Sequence, residues 1–257
     1  MQYDPDARTK LAIVKNNLRM FGFWRTLVDI LGYLFTAPPR DRFDRRHGVE
    51  TSGSVEKSQA GVTDEAALAD AIRYVPIAEK VMLNVLAQVE RIARPEDVAF
   101  VDLGCGKGRG LVMASWYPFR QVIGVELSPR HAELAGRNVE RFLADPRGAT
   151  VRCRDVTVAC ENALTWQPPD EDLLVFMYRP FRGQVLRGVL DRLQAFHEST
   201  GHRVVVAYVC PLEEAAFRRH PGFTRVHDYQ VIVEEHSWSL WECTSAPAAQ
   251  TAERAAS

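Results

Sequence analysis

The sequence lacks several features that would mark particular classes of protein. Its 32 basic and 33 acidic residues give a net charge of −1, which argues against a general attraction to nucleic acid or to an anionic membrane. None of its five cysteines form a C-x-x-C pair, so neither a zinc site nor a disulfide framework is indicated, and reduced thiols in a cytoplasm are expected. There is also no internal repeat. What remains is the composition of an ordinary globular protein, 46% hydrophobic and 25% charged.

The chain also lacks a long uninterrupted apolar segment near its N-terminus. Residues 1–36 have apolar positions at helical spacing, but charged side chains interrupt every span of 18 residues, and the opening does not have the form of a signal peptide. The predicted organisation is a helical and loop extension over residues 1–62, the main domain over 63–244 and a disordered tail over 245–257. We expect the N-terminal helices to pack on the domain or on a second subunit of a homodimer, in preference to contacting a membrane.

The most informative stretch covers residues 98–128. An apolar run over residues 98–103 predicts a strand that is buried on both faces of a parallel sheet. Four glycines at alternate positions follow, and the apolar run from Leu111 to Tyr117 predicts a helix. The glycine loop therefore lies at a helix N-terminus, where free N–H groups face a ligand. The segment Gln121–Val125 predicts a second buried strand, which ends at Glu126.

An acidic residue about 20 positions after a glycine loop is typical of a carboxylate that binds a ribose diol. Dinucleotides and other nucleosides are both bound in this way. The dinucleotide fingerprint G-x-G-x-x-G requires a third glycine, but the two possible frames place Arg109 or Leu111 there. The spacing therefore argues against a loop built for a pyrophosphate.

The run from Asp102 to Gly110, DLGCGKGRG, resembles the first motif of the class I S-adenosylmethionine-dependent methyltransferases. The resemblance implies that Asp102 holds the methionine end of S-adenosylmethionine, that the glycines admit the nucleoside and that Glu126 binds the ribose. It also implies a polar side chain at the adenine amino group, supplied by Asn162 or alternatively by Asp155. The cofactor contacts implied in this part of the chain are Asp102, Gly104, Cys105, Gly106, Gly108, Glu126, Leu127, Asn162, Ala163 and Tyr178.

Residues 43–53, with the sequence FDRRHGVETSG, resemble a segment that precedes the methyltransferase core in a group of bacterial proteins. The resemblance implies that residues 50–52 fold over the cofactor, with Thr51 as a contact on its methionine or ribose side, and that His47 faces the substrate. The alternative is a solvated loop, which the charges of alternating sign in this region favour. Tyr74 occupies a position where such proteins place a cofactor contact, although an isolated tyrosine is more often a packing residue.

The strand predicted at Leu173–Tyr178 ends beside the first strand, where open α/β sheets bind ligands. In the amine methyltransferases of this fold, the position of Arg179 carries Asn or Asp, whose oxygen accepts a hydrogen bond from the attacking amine. Arginine has five donors and no acceptor, so this departure disfavours an amine and favours a substrate with a carboxylate or phenolate. A surface charge at a strand end is the alternative. The candidate general bases are His47 and Tyr178.

Strands and helices alternate along the remaining sequence. The pattern predicts an α/β fold, a doubly wound, mostly parallel seven-stranded sheet with an antiparallel C-terminal strand. A third strand is expected at Val151–Arg154, and a helix at Ile77–Val89 with Pro76 in its first turn. Two strands, Phe223–Glu234 and Trp238–Cys243, are expected to end the fold as a hairpin.

The expected function is methyl transfer from S-adenosylmethionine to a small-molecule acceptor, without a metal and without a nucleic-acid partner. One alternative is a protein lysine methyltransferase, through a distant likeness to the histone-lysine methyltransferases of this fold, although a basic nucleosome-binding region has no counterpart here. Another is a protein that binds the cofactor without catalysis, which the departure at Arg179 leaves open. The sequence does not indicate which atom accepts the methyl group.

Overall fold

The computed structural model describes four ranges of the chain, residues 42–53, 72, 74–230 and 236–244. The helices expected in residues 1–36 and the tail expected in residues 245–257 lie outside these ranges, as does the end of the strand expected at Phe223–Glu234. Within the described ranges, no helix is both long enough and apolar enough to cross a membrane.

The described residues contain six helices and seven strands, and five of the six strands located in the sequence begin within one residue of the expected position. A 3₁₀ turn, Pro95–Asp97, leads into the first strand. In chain order the elements are α1 (Arg42–His47), α2 (Glu79–Val89), β1 (Ala99–Leu103), α3 (Arg109–Ala114), β2 (Val122–Glu126), α4 (Pro129–Ala144), β3 (Val156–Cys160), β4 (Leu173–Tyr178), α5 (Gly183–Thr200), β5 (Val204–Val209), α6 (Glu214–Arg219), β6 (Phe223–Tyr229) and β7 (Trp238–Cys243).

The seven strands form one sheet in the order β3-β2-β1-β4-β5-β7-β6. Strands β1 to β5 pair in parallel, and β7 is antiparallel to both of its neighbours. The predicted fold class is therefore confirmed. The chain builds outwards from β1 to β3 in one direction and returns to the other side of β1 with β4. This reversal creates a crevice at the C-terminal ends of β1 and β4, where open α/β sheets bind ligands.

The central strands are apolar because both faces of the sheet are covered. Every residue of β1 and β5 is buried, as is usual for parallel strands that lie between two layers of helices. On one face Phe100 packs against Phe119 and Phe176, with ring centroids 5.2 and 5.8 Å apart. On the other face Val101 and Val175 belong to a separate apolar cluster that α5 covers. The two cores fix the strand ends that form the crevice.

Two local predictions are wrong. The third strand is not at Val151–Arg154, because the N–H groups of Arg152 and Cys153 donate to the carbonyl oxygen of Ser115, at the end of α3, and do not pair in the sheet. The strand forms later, at Val156–Cys160, where it pairs with β2. Helix α2 begins at Glu79, so Pro76 precedes the helix and does not lie in its first turn.

Candidate functional site

A cavity lies at the C-terminal ends of β1, β2 and β4. Its walls come from the glycine loop after β1, the turn after β2, the turn after β3, the segment after β4 and the chain just ahead of α2. The lining residues that the sequence had singled out are Tyr74, Asp102, Gly104, Cys105, Gly106, Glu126, Leu127, Asn162, Ala163, Tyr178 and Arg179. Three others, His47, Thr51 and Gly108, do not line it.

Asp102 is a buried carboxyl group at the base of the cavity. It pairs with Gly124 of β2 and Phe176 of β4 in the sheet, and only 4% of the residue is exposed. Its carboxyl group packs closely over Gly110, at the start of α3, where a side chain would overlap it. Burial, together with the charge of Glu126, raises the pKa of Asp102 to about 8. No donor among the described residues forms a hydrogen bond with this carboxyl group, so a cationic ligand would find it available.

Glu126 ends β2 and is held in place by backbone N–H groups. Gly106 donates to Oε2 and Ser128 donates to Oε1, each at 2.8 Å. Burial raises the pKa of Glu126, whereas these hydrogen bonds oppose the rise. Because each carboxylate oxygen has two lone pairs, the anchored side chain retains acceptor capacity for the hydroxyl groups of a ligand in the cavity.

The glycine loop brings the backbone close to its neighbours at two points. Gly106 has φ 55° and Gly104 has φ 80°, in the left-handed region that side chains other than glycine rarely adopt. A Cβ at Gly106 would overlap the ring of Tyr74, and a Cβ at Gly104 would overlap Pro180. The loop therefore requires glycine at both positions. Gly108 has a different place, at the N-cap of α3 against Ala135 and away from the cavity.

The turn after β3 brings polar groups to the far end of the cavity. Asn162 lines the cavity beside Ala163, and its Oδ1 accepts a hydrogen bond of 2.9 Å from the N–H of Leu164. Glu161, which the sequence analysis did not single out, also lines the cavity. The alternative candidate, Asp155, precedes β3 at the opposite edge of the sheet, where its carbonyl oxygen accepts from Val122 N–H. Asn162 is thus the one of the two candidates that the fold brings to the cavity.

Tyr178 and Arg179 form the wall at the end of β4. Arg179 has φ 39°, an uncommon conformation for a residue with a side chain, and it turns the chain out of the sheet. Its Nη1 lies 3.6 Å from Cys210 Sγ, and its guanidinium lies 5.5 Å from the centre of the Tyr178 ring. The adjacent Pro180 and Phe181 continue the lining.

Residues 42–53, which we call the docked segment, lie against the glycine loop. Asp44 of α1 accepts hydrogen bonds from the N–H groups of Thr51 and Ser52, both at 2.8 Å, and from Thr51 Oγ1 at 2.5 Å. Burial opposes ionisation of Asp44, but these hydrogen bonds and the charge of Arg109 outweigh it and lower its pKa. The carboxylate of Asp44 therefore closes the segment into a compact turn.

Two cations of the glycine loop hold the docked segment. Arg109 donates to Thr51 Oγ1 at 2.6 Å and to Ser52 Oγ at 2.9 Å, and it pairs with Asp44 at 3.3 Å. Lys107 Nζ donates to the carbonyl oxygen of Ser52 at 2.6 Å. The basic residues that interrupt the glycines thus anchor a distant part of the chain. The side chain of Thr51 is consumed in this network, so Thr51 supports the site without lining the cavity.

Tyr74 joins the docked segment to the cavity. Its hydroxyl group donates to the carbonyl oxygen of Thr51 at 2.6 Å, and its ring lies over Gly106 and lines the cavity. Burial raises the pKa of Tyr74 far above its usual value, so the side chain remains a neutral donor. Tyr74 therefore combines the two roles, packing and cavity contact, that the sequence left open.

The structure does not bring His47 to the cavity. The ring packs among Phe43, Trp116 and Phe142, with centroid distances of 4.6, 5.2 and 5.7 Å, and the residue is 4% exposed. Neither ring nitrogen has a hydrogen-bond partner among the described residues. Burial lowers the pKa of His47, so the ring is a neutral part of an apolar cluster. The expectation that it faces the substrate as a base is corrected accordingly.

Sequence reasoning missed the side chains that act through distant contacts. His131, in the first turn of α4, lines the cavity beside Glu126. Asn138 of α4 bonds the docked segment, where its Oδ1 accepts from the N–H of Glu50 at 2.8 Å and its Nδ2 donates to the carbonyl oxygen of Lys107 at 2.9 Å. The available signal for His131 was its place five residues after Glu126, on the helix that follows β2.

The cavity residues fit S-adenosylmethionine in charge, and the glycines leave room for its nucleoside beside the backbone. The buried carboxyl group of Asp102 has no donor among the described residues and would be matched by a cationic amino acid group. Glu126 retains acceptor capacity for ribose hydroxyl groups, and the absence of side chains at Gly104 and Gly106 lets a nucleoside approach the backbone.

Comparisons with known proteins give matches among solved structures alone. No protein-family model and no curated protein matches the chain. A ribosomal protein L11 methylase from Lactobacillus delbrueckii subsp. bulgaricus is 14% identical over 65% of this chain and 80% of its own, with a TM-score of 0.47. A magnesium protoporphyrin IX methyltransferase from Synechocystis with bound S-adenosylmethionine is 14% identical over 96% and 100%, with a TM-score of 0.47.

A third solved structure, an S-adenosylmethionine-dependent O-methyltransferase from Thermotoga maritima, is 14% identical over 68% of each chain, with a TM-score of 0.47. The named acceptors of these proteins differ, and a shared fold does not fix an acceptor. The strand order and the glycine loop after β1 agree with the α/β fold that the resemblance to the class I S-adenosylmethionine-dependent methyltransferases implies.

Proposed function

We propose that the protein is an S-adenosylmethionine-dependent methyltransferase that acts on a small-molecule acceptor. The observation that carries the proposal is the pair of acidic residues that line the cavity, the buried Asp102 and the partly buried Glu126, at the C-terminal ends of neighbouring strands on either side of the glycine loop. Asp102 would pair with the ammonium group of the methionine moiety, and Glu126 would accept hydrogen bonds from the ribose. Tyr74 and Leu127 would flank the nucleoside, and Asn162 would meet the adenine.

The residues of the cavity contribute position and electrostatics to the reaction. When bound, the cofactor supplies a methyl group on a positively charged sulfur, which a nucleophile displaces in line. The protein accelerates such a reaction mainly by holding the nucleophile about 3–3.5 Å from the methyl carbon. Tyr178 lies at the end of β4, next to β1, where it would orient the acceptor and hydrogen-bond its reacting group. His47 has no part in this step, because it lies outside the cavity.

The wall after β4 favours an acceptor that has an apolar body and an anionic group. It combines Phe181 and Val185 with Arg179, and Ile72 and Val75 also line the cavity. A guanidinium cannot accept a hydrogen bond from an amine, but it binds carboxylates and phenolates, bidentately where the geometry allows. Small-molecule sites are commonly apolar with a few polar groups of this kind.

The first test is transfer of labelled methyl from S-adenosylmethionine into a cell extract that is then separated by size. We expect label in the small-molecule fraction, from which mass spectrometry identifies the product. Label confined to the protein fraction would overturn the small-molecule proposal in favour of a protein methyltransferase. Calorimetric binding of the cofactor without label in either fraction would favour a non-catalytic binder.

The role of Arg179 is tested by Arg179→Ala, with Arg182→Ala as the matched control. Arg182 is the exposed residue just before α5 and does not line the cavity. We expect Arg179→Ala to retain cofactor affinity and to lower turnover of the identified substrate about 10- to 100-fold, because a charged hydrogen bond to substrate is worth about 1.5–3 kcal/mol. The control should turn over normally. Unchanged turnover in Arg179→Ala would show that Arg179 is a surface charge that does not bind the substrate.

A further inference from the structure

The two edges of the sheet differ in how they are protected from pairing with another chain. Strand β6 forms one edge, carries the charged residues Arg225 and Asp228, and has a register shift in its pairing with β7 between Arg225 and His227. Strand β3 forms the other edge and pairs with β2 in an unbroken register. Its sequence, VTVAC, contains no charged residue, proline or glycine. Charges, prolines and bulges are the usual protection of an edge strand, so β3 is the unprotected edge.

The outer side of β3 presents backbone groups that do not take part in the sheet. The residues that flank the strand bond to β2, Asp155 through its carbonyl oxygen and Glu161 through its N–H. Because the backbone groups of alternate residues point to the same neighbour, the odd-numbered residues between them also bond to β2. The N–H and carbonyl groups that point outwards are those of Val156, Val158 and Cys160. Among the residues that the structure describes, no strand pairs with this side of β3.

The side chains of β3 are also only partly covered. Thr157 and Cys160 are exposed and the other three residues are partly exposed, whereas every residue of β1 and β5 is buried. Val156 and Val158 pack against the core on the side of α4. The strand is therefore held flat by its inner face and its pairing with β2, and its β-branched residues suit a further strand alongside it.

The charges that flank β3 match those of a second copy of the same strand. Arg154 precedes the strand, Glu161 follows it, and both residues are exposed. One nitrogen of Arg154, Nη1, donates to the carbonyl oxygen of Leu143 at 3.2 Å, which leaves its other donors for a partner. An antiparallel second copy brings the basic end of one strand beside the acidic end of the other, and a twofold axis makes this contact twice.

Charge also selects the register of such a pair. A twofold axis at Val158 would set Asp155 of one copy directly opposite Glu161 of the other, and like charges in that position are destabilising. An axis at Thr157 sets Asp155 opposite Ala159 instead. It also places Arg154 next to Glu161 of the other copy.

We propose that β3 is a homodimer interface, in which the β3 strands of two copies pair antiparallel about a twofold axis at Thr157 and join the two sheets into one. Val156 of one copy then exchanges two backbone hydrogen bonds with Val158 of the other, and the axis repeats the exchange. The outward N–H and carbonyl groups of both residues are satisfied in this way. The proposal does not depend on the proposed function, because it concerns the association of two copies and no contact with the cofactor.

The test is sedimentation equilibrium of the full chain over a range of concentrations. Val158→Pro removes an outward N–H and leaves the bonds to β2, as is tolerated on an edge strand. Thr157→Lys leaves every backbone group in place but sets two like charges together at the axis. The matched control, Thr224→Lys, makes the same change at an exposed position of the other edge strand, β6.

We expect the wild type and Thr224→Lys to form dimers with the same dissociation constant. The constant should rise about 30-fold in Val158→Pro, as for the loss of one hydrogen bond from each copy. It should rise about fivefold in Thr157→Lys, as for like charges directly opposite each other. Thermal unfolding checks that each variant is folded.

Hydrogen exchange identifies the surface through which the copies associate. In the wild type the outward N–H groups of Val156 and Val158 should exchange more slowly as the protein concentration rises. The inner N–H groups of Thr157 and Ala159, which bond to β2, should be protected at every concentration. A wild type that stays monomeric over the whole range, or a dimer whose outward N–H groups gain no protection, would overturn the proposal. Equal dimerisation of Val158→Pro, Thr157→Lys and the control would overturn it as well.

Discussion

Two regions of the cavity are built in different ways. The strand ends and the glycine loop are joined by backbone hydrogen bonds and apolar packing, such as the 2.8 Å bond from the N–H of Gly104 to the carbonyl oxygen of Val125. The docked segment is held by charged and polar side chains from other parts of the chain, such as Arg109, which is 58 positions from Thr51, and Asn138, which is 88 positions from Glu50. Backbone geometry therefore fixes the first region, and a few side chains fix the second.

The largest effect is expected from a change in the first region, Gly106→Ala. An alanine at this position would have to adopt the left-handed backbone conformation, and its methyl group would overlap the Tyr74 ring. We expect the affinity for S-adenosylhomocysteine, measured by calorimetry, to fall at least about 100-fold, because strain of this kind costs about 1–3 kcal/mol before the overlap is counted. Gly136→Ala is the matched control, since a Cβ there has no neighbour within 4 Å. Equal affinity of the two variants would show that the loop tolerates a side chain.

A smaller, local effect is expected from Asp44→Asn in the second region. The asparagine amide has one acceptor oxygen in place of two, so it cannot accept all of the hydrogen bonds that the carboxylate receives from Thr51 and Ser52. The substitution also removes the ion pair between Asp44 and Arg109, in which the side chains are 10% and 12% exposed. Because Asp44→Asn breaks a largely buried ion pair, the docked segment should lose about 2 kcal/mol of local stability. Hydrogen exchange at the N–H groups of Thr51 and Ser52 should accelerate about 30-fold.

The control for Asp44→Asn is Arg141→Ala, which breaks the exposed ion pair with Glu50 at 2.9 Å on the same segment. Surface pairs contribute about 0–1 kcal/mol, so exchange at Thr51 and Ser52 should change less than about fivefold. If both variants exchanged alike, the docked segment would not depend on the buried network. Protection unchanged in Asp44→Asn would contradict the contrast between the two regions.

The smallest effect concerns the pH dependence of cofactor binding. With a pKa of about 8, Asp102 is protonated in the free protein at neutral pH and must ionise to pair with an ammonium group. Ionised Asp102 is thus favoured in the complex, so the affinity for S-adenosylhomocysteine should rise with pH, by up to about 10-fold per unit between about pH 5.5 and 7. In this window the α-amino group of the ligand stays charged, and His131, with a pKa of about 4, stays neutral.

Asp102→Asn isolates this effect, since Glu126 also has a raised pKa and would contribute to any residual slope. The variant should bind more weakly than the wild type at pH 7, and its affinity should vary less with pH. Calorimetry at several pH values, in two buffers with different ionisation enthalpies, measures the affinity and the proton released. Parallel pH profiles for wild type and variant would show that Asp102 is already ionised in the free protein.

Much of the fold and of the cavity could be predicted from local sequence. Strand periodicity located the strands that carry Asp102, Glu126 and Tyr178, and parallel pairing brings their C-terminal ends to one edge. The third strand was misplaced because the short alternating pattern of residues 151–154, VRCR, does not reveal that the backbone there bonds to Ser115. Histidine was the harder case, since His47 and His131 look alike in sequence and differ only in what surrounds them.

The sequence by itself determined the strand, glycine loop, helix and second strand of residues 98–128, because apolar periodicity and the conformational freedom of glycine act over a few neighbouring residues. Only the tertiary structure decided which polar side chains meet. Asp44 meets Arg109 because α1 packs against an element that is distant in sequence. His131 comes close to Glu126 because α4 folds back beside the end of β2 after a short turn. Such contacts depend on distances of a few ångströms in three dimensions, and no local pattern encodes them.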